Sequence, residues 1–262
     1  MAETEAQAMP QQKRVRRPPR RTTVERIERV TPKLIRVTVA GDELADFGPA
    51  KPGAHIKLLF PPAGMPWDHR DPEAPRPPSR TYTPRRYDPA ARKMEIEFAL
   101  HGDGLAANWV QTAKAGDTLF VAGPGGGYDV PADCTAVVLL ADETAMPAAG
   151  MVIEALPKGC AVTALCEVPD AGEERPLSPS VRVAPKWLHR NGAAGGTLLE
   201  QEVARLDAPA DAHWWIACEA GAMRRIRMHL LKQRKVAPQR IHTRGYWRLG
   251  ETNYPDHDYG ND

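Results

Sequence analysis

What the chain lacks narrows the field first. No apolar run approaches the roughly 18 residues that a membrane-spanning helix needs, so no membrane association is expected. Met1–Arg21 has no apolar stretch of the kind a secretion signal carries, which makes a cytoplasmic protein the expectation. Cysteine is scarce: Cys134, Cys160, Cys166 and Cys218 show no C-x-x-C spacing and stand in apolar runs, the setting of buried reduced thiols. That spacing argues against an iron–sulfur cluster and against a disulfide. Charge of one sign is missing in bulk, since 35 Lys and Arg against 33 Asp and Glu leave a net +2, and no nucleic-acid partner is expected. There are no internal repeats.

With 262 residues the chain is long enough for two compact domains, each with its own core. Between Lys13 and Arg21 six of nine residues are basic, interleaved with Pro18 and Pro19, so residues 1–21 read as a solvated, disordered arm. Thr22–Val30 and Leu34–Val39 mix β-branched and charged residues as a half-exposed antiparallel pair does, turning at Thr31-Pro32. Ala54–Phe60 is the next strand. Seven prolines in 61–78 exclude a helix or interior strand and leave a long loop. Arg80–Tyr87 resumes the sheet. In Lys93–Leu100, Met94, Ile96, Phe98 and Leu100 alternate with Lys93, Glu95, Glu97 and Ala99, so one face is core. Leu105–Ala113 is predicted as a short helix and Asp117–Ala122 as a strand. For residues 22–128, six strands and one helix fit an antiparallel six-stranded β-barrel.

Composition changes at Gly123-Pro124-Gly125-Gly126-Gly127, and Cys134–Ala141 is then an unbroken apolar run, as in a parallel strand covered on both faces. A helix, Thr144–Leu156, follows. Strands at Cys160–Glu167, Val181–Ala184, Trp214–Cys218 and Arg240–Thr243 alternate with helices at Thr197–Arg205 and Ala220–Lys235. The alternation predicts, for residues 129–250, a parallel-sheet α/β domain with ligands at the carboxyl ends of its strands. Residues 251–262 carry Glu251, Asp256, Asp258 and Asp262 without a Lys or Arg and read as a frayed acidic tail.

Arg80-Thr81-Tyr82-Thr83-Pro84-Arg85 carries the first chemical signal. In a strand Arg80, Tyr82 and Pro84 share one face. A bend at Pro84 would let Arg80 meet a phosphate, Tyr82 a planar ring and Thr83 a ring heteroatom, the needs of a flavin dinucleotide. The six residues alone fit an ordinary edge strand equally well. His101-Gly102-Asp103-Gly104 turns a strand into a helix, where unpaired helix N–H groups suit a pyrophosphate and where a plain turn would look the same. His101 has no partners at zinc spacing, and no metal site is expected.

After Cys134–Ala141 there is no G-x-G-x-x-G to cradle a dinucleotide. The turn reads Asp142-Glu143-Thr144 instead: two carboxylates that suit a helix N-terminus as caps and repel phosphates. At the end of the second parallel strand Glu167 and Asp170 favour NADH over NADPH, while Lys186 and Arg190 after the next strand leave NADPH open. Trp247, in Gly245-Tyr246-Trp247-Arg248, is open to plain packing or to a place in a site.

In their order and spacing, Arg80–Arg85, Ala99-Leu100-His101-Gly102-Asp103-Gly104 with Trp109, Gly123–Tyr128, Ala141–Pro147 and Gly245–Arg248 resemble the siderophore-interacting protein family over roughly residues 16–250. These are flavin-dependent ferric-siderophore reductases related to the ferredoxin reductases. The resemblance implies FAD held by Arg80, Tyr82 and Thr83 and by the turn of His101, Gly102, Gly104, Leu105 and Ala106. It implies transient NADH or NADPH binding at Asp142, Thr144 and Ala145, across the domain cleft from the flavin. Tyr246 and Trp247 would lie against the flavin, and Lys57 and Arg248 would be basic groups at the pocket mouth for a ferric siderophore. The family's usual glycine before the aspartate is Ala141 here, and a further basic residue after the arginine is Leu249.

The activity so implied is hydride transfer from NAD(P)H to FAD, then one-electron reduction of a ferric chelate, with no protein acid required. Hard oxygen ligands hold Fe(II) less tightly than Fe(III), so reduction frees the iron. A general flavin reductase or diaphorase, and a flavin-free siderophore-binding module, are the alternatives. A monomer is expected.

Overall fold

The structure, a computed structural model, describes residues 17–62, 67–101, 104–254 and 258–260. In its first half β1 (Arg20–Thr31), β2 (Leu34–Ala40), β3 (His55–Leu59), β4 (Ser79–Tyr82), β5 (Pro84–Asp88), β6 (Lys93–Ala99) and β7 (Thr118–Gly125) form one antiparallel sheet in the order β4-β3-β7-β1-β2-β6-β5. The sheet has seven strands rather than the expected six, because Arg80–Tyr87 is two strands. Pro84 brings no N–H to the ladder. Tyr82 still pairs with Ile56 of β3, but Pro84 pairs with Ile96 of β6. A flat seven-stranded sheet would hold its edges about 29 Å apart at roughly 4.8 Å per pairing. Thr83 alone connects these edges, and one residue spans only about 3.8 Å between Cα atoms. The sheet must therefore curl into a barrel.

Inside the barrel Val37, Val39, Ile56, Leu58, Met94, Ile96, Phe98 and Val121 are at most 1% exposed, the alternation of β6 being kept at Met94, Ile96 and Phe98. Helix α1 (Leu105–Thr112) closes the barrel with Ala106 and Val110, and Trp109 packs on Phe60 and Phe98. The basic arm is shorter than expected at its described end. Arg20 belongs to β1, is buried, and donates to Asp46 at 2.6 Å and to the Gly123 carbonyl at 2.8 Å. The loop in 61–78 packs on the barrel through Trp67 and His69, which meet the Phe120 ring at 4.9 and 5.1 Å.

In the second half β8 (Ala136–Asp142), β9 (Ala161–Val168), β10 (Lys186–His189), β11 (His213–Glu219) and β12 (Ile241–Trp247) form a parallel sheet in the order β10-β9-β8-β11-β12. Every residue of β8 is buried, as its unbroken apolar run requires. Helix α2 (Met146–Ala155) covers one face, and α3 (Thr197–Arg205) and α4 (Ala220–Lys232) cover the other. The strand expected at Val181–Ala184 does not form there. Pro185 follows it without an N–H, and the strand starts at Lys186, pairing with Leu165. Strand order reverses between β8 and β11, which opens a crevice at the carboxyl ends of β8, β11 and β12.

The chain between β9 and β10 forms no α-helix. It crosses to the barrel and fastens the two halves. Glu173, 5% exposed, accepts hydrogen bonds from the Thr31 hydroxyl and from the Lys33 N–H. The Leu177 carbonyl accepts from Arg85, whose guanidinium also forks onto Glu154 of α2 at 2.7 and 3.2 Å. Gly150 makes this crossing possible, because a Cβ there would stand 2.2 Å from the Leu177 oxygen. Glu97 of β6 departs from its polar, outward expectation. It is buried between two guanidinium groups, Arg36 at 2.7 Å and Arg175 at 2.8 Å, the second without hydrogen-bond alignment.

Removing Glu97 would leave two like charges at the domain junction, Arg175 nearly buried. Glu97→Ala is expected to lower stability by about 3–5 kcal/mol, the cost of breaking a buried ion pair on one side. Urea denaturation checks this, and an unchanged midpoint would refute it.

Candidate active site

The carboxyl end of the parallel sheet faces the barrel across a cleft of about 260 Å³. On the barrel side it is lined by Arg80, Tyr82 and Thr83 of the β4–β5 corner, and by Gly104, Leu105 and Ala106 at the start of α1. On the other side stand Glu143, Thr144, Tyr246 and Trp247. Ten of the residues expected at the site from sequence thus converge: Arg80, Tyr82, Thr83, His101, Gly104, Leu105, Ala106, Thr144, Tyr246 and Trp247. Gly102 lies outside the described residues.

The α1 end of the cleft fits a pyrophosphate. Gly104 caps the helix without a side-chain hydrogen bond, nothing lies within 4 Å of where its Cβ would be, and the first N–H groups of an α-helix have no partners inside the helix. Arg80 shares this cleft, with its Nη1 donating to its neighbour's carbonyl at Ser79. Tyr82 lies over Phe98 at 4.5 Å between ring centroids, and burial raises its phenol above the ordinary range. Thr83 and Tyr246 both line the cleft, and burial pushes the Tyr246 phenol up to about 12. A hydroxyl, two aromatic rings, an arginine and an open helix N-terminus in one cleft form a donor set suited to a flavin dinucleotide.

Asp142 and Ala145 lie beneath the lining rather than in it. Asp142 is 0% exposed, accepts from the Thr144 N–H and hydroxyl at 3.0 and 2.5 Å, and accepts from the Trp247 indole at 2.7 Å. Ala145 is equally buried, its N–H turned to the Asp142 carbonyl. The two therefore build the turn, and only Thr144 and Glu143 reach the cleft. Trp247 is held from behind as well, since a Cβ on Gly195 would stand 2.7 Å from its ring, and His101 stacks on it across the domains at 6.1 Å.

Lys57 and Arg248 do not line the cleft. Each is bonded to a residue that does: the Lys57 amine donates to the Thr81 hydroxyl at 2.6 Å, and exposed Arg248 pairs with Glu251 at 3.3 Å. The basic side chains in the lining are Arg80 and Arg244. Arg244 was not foreseen; it sits 6% exposed in mid-strand with His55 Nδ1 at 3.4 Å, and nothing in a strand pattern distinguishes it from an outward-facing arginine. The carboxylates expected to choose the nicotinamide donor are committed elsewhere. Glu167 is buried and accepts from the Gly196, Leu198 and Leu199 N–H groups that open α3, and Asp170 caps a short turn through Gly172. Lys186 pairs with Glu202, and Arg190 forks onto Glu143. These four side chains do not separate NADH from NADPH.

A curled antiparallel barrel joined to a doubly wound parallel sheet, with the cleft between them, is the ferredoxin-reductase-like FAD/NAD-binding fold. The chain belongs to the siderophore-interacting protein family: residues 23–128 match the siderophore-interacting FAD-binding domain and residues 134–250 the siderophore-interacting protein model. It is 32% identical to the NADPH-dependent ferric-chelate reductase of Escherichia coli, over 87% of this chain and 92% of that one. It is 28% identical to the ferric vibriobactin reductase ViuB of Vibrio cholerae, over 87% and 89%. A solved siderophore utilization protein from T. fusca superposes with a TM-score of 0.79 at 37% identity, over 92% of this chain and 98% of that one. No helix among the described residues is long and apolar enough to cross a membrane.

Burial and the neighbouring Glu143 carboxylate push the Asp142 carboxyl up to about 7, against the hydrogen bonds from Thr144 and Trp247. The native state thus holds this proton more tightly than the unfolded chain, where the group titrates near 3.8. Its contribution to stability is complete below the unfolded value and is lost as pH rises toward the folded one. The stability of the wild type relative to Asp142→Asn is therefore expected to be greater at about pH 5 than at about pH 8. Paired denaturation curves at both pH values check the sign, and a difference that grows with pH would refute it.

Proposed function

We propose that the protein is an FAD-dependent ferric-siderophore reductase that passes electrons from NADPH or NADH to an Fe(III) chelate and releases Fe(II). The observation that carries this reading is the convergence of Arg80, the glycine-capped start of α1, Thr83 and Tyr246 on one interdomain cleft, in a chain of this family. When bound, FAD supplies the step between a two-electron hydride donor and one-electron acceptors. The balance is one NAD(P)H oxidised for two ferric ions reduced, with one proton released.

The residues of the chain bind and orient. Arg80 and the Leu105 and Ala106 N–H groups take the pyrophosphate, with Gly104 leaving the approach open and His101 in the same lining. Tyr82 and Thr83 place the ring system from the barrel side. Tyr246 and Trp247 face it from β12, and the Asp142–Trp247 bond fixes that indole. Thr144, held by Asp142 and followed by Ala145, meets the nicotinamide donor. Arg190 neutralises Glu143 beside it, which offsets the repulsion that two carboxylates would present to phosphate. No side chain has to move a proton at the iron centre. We propose a cytoplasmic, monomeric enzyme.

Reduction of ferric catecholate and hydroxamate chelates by NADPH, followed anaerobically with an Fe(II) indicator and compared with reduction of free flavin, tests the function. Ferric chelate as the better acceptor is expected; a preference for free flavin would make the protein a diaphorase. Arg80→Ala is expected to lose about 1.5–3 kcal/mol of FAD binding, the range for a hydrogen bond to a charged group. Unchanged affinity in a flavin titration would remove Arg80 from the phosphate site.

Lys57 and Arg248, each bonded to a residue of the lining, act as basic groups at the pocket mouth on an anionic chelate, largely by long-range attraction. Such attraction is screened beyond about 10 Å at 0.1 M salt. The Lys57→Ala/Arg248→Ala double variant should raise the KM for a triply negative ferric catecholate at low salt and leave an uncharged ferric hydroxamate little changed. Equal, salt-independent losses on both would end the steering role.

A further inference from the structure

The segment after β12, expected to fray, folds back against the cleft. Glu251, Thr252, Asn253 and Tyr254 line the same cavity as Arg80 and Tyr246. Asp258, 9% exposed, is the tie-point. Its Oδ2 accepts from the Tyr254 hydroxyl at 2.6 Å, and its Oδ1 accepts from Arg224 of α4 at 2.9 Å and from the Gly260 N–H at 3.0 Å. Its carbonyl accepts from the Gly245 N–H at 2.9 Å, and the next carbonyl, of Tyr259, accepts from the Thr243 hydroxyl at 2.5 Å. The Tyr259 ring lies under the Arg244 guanidinium at 5.2 Å.

A glycine in the middle of a buried strand needs a reason, and this segment gives one for Gly245. A Cβ there would stand 2.6 Å from Asp258 Oδ2 and 2.9 Å from the Ala220 Cβ. A carboxylate satisfied by a hydroxyl, an amide and an arginine is an ordering device, not a solvated tail charge. Its effect is to hold Tyr254, and Asn253 beside it, at the cleft.

We infer that Glu251–Tyr254, tied down by Asp258, is an outer wall of the flavin site and slows the departure of bound FAD, with Asp258 as its positioning residue and Tyr254 as its contact. The inference rests on the FAD reading above. These four residues add to a lining otherwise supplied by the barrel, α1 and the turns and strand ends of the second half.

The test uses the holoprotein. After dilution, release of FAD is followed by the recovery of flavin fluorescence in wild type, Asp258→Ala, Tyr254→Ala and Tyr254→Phe. Release is expected to be faster by roughly fivefold or more in both alanine variants, the factor that follows from losing about one ordinary hydrogen bond of ordering. Tyr254→Phe, which keeps the ring but loses the hydroxyl bond to Asp258, should release FAD faster than wild type and no faster than Tyr254→Ala. Thermal unfolding of each variant runs alongside, and if Asp258→Ala does not fold, the Tyr254 pair carries the test. Release within about twofold of wild type in Tyr254→Ala would overturn the wall. A wild type that holds no FAD would instead overturn the functional reading, so the two failures are distinct.

Discussion

The break at Thr83-Pro84 is the constraint on which the rest of the structure depends. Because Pro84 has no N–H, the strand that pairs with β3 cannot continue as it began, and the chain passes to β6 on the opposite edge of the sheet. That passage closes the barrel. It also leaves Arg80, Tyr82 and Thr83 on the cleft side and turns Arg85 outward onto α2, where it forks onto Glu154 and takes the Leu177 carbonyl. One short segment thus sets the barrel, one wall of the site and a main fastening between the domains.

The opposite wall is set by a second economy of groups. Asp142 ends β8 and spends its carboxylate on the turn that opens α2 and on the Trp247 indole at the end of β12. The two strand ends that flank the switch point are thereby locked to each other across β11. Of the two carboxylates that would repel a dinucleotide, Asp142 is taken out of the cleft by burial, and Glu143, which lines it, is paired with Arg190. The absence of a glycine-rich phosphate loop is consistent with a nicotinamide donor that visits and leaves, since a tight pyrophosphate cradle would slow its release.

Polar groups at the junction behave alike. Glu173, Glu97, Glu167 and Asp258 are all at most 9% exposed, and each is matched by an arginine, a hydroxyl or the N–H groups of a turn. Such groups contribute geometry more than stability, since desolvation offsets much of their attraction. In this molecule Glu173 and Glu97 tie one half to the other, whereas Glu167 and Asp258 fix turns within the second half.

Much of this was legible in the residues themselves. The period-two run of β6, the unbroken apolar run of β8 and the alternation of strands and helices after Gly127 follow from which faces must be buried, so they fixed two domains and their classes. Arg80, Tyr82, Thr83 and the turn before α1 were picked out by the family resemblance, since the residues alone fit an edge strand and a plain turn equally well. Tertiary structure alone decided what depends on partners far apart in the chain. Whether Arg80–Tyr87 was one strand or two rested on which edge each half could pair with. Glu167 became a helix cap, and Asp258 left the acidic tail for a buried tie, because α3 and α4 were there to receive them. Arg244, Lys57 and Arg248 differ little as letters in a strand. Only the curl of the barrel and the direction of β12 put the first in the lining and the other two one contact behind it.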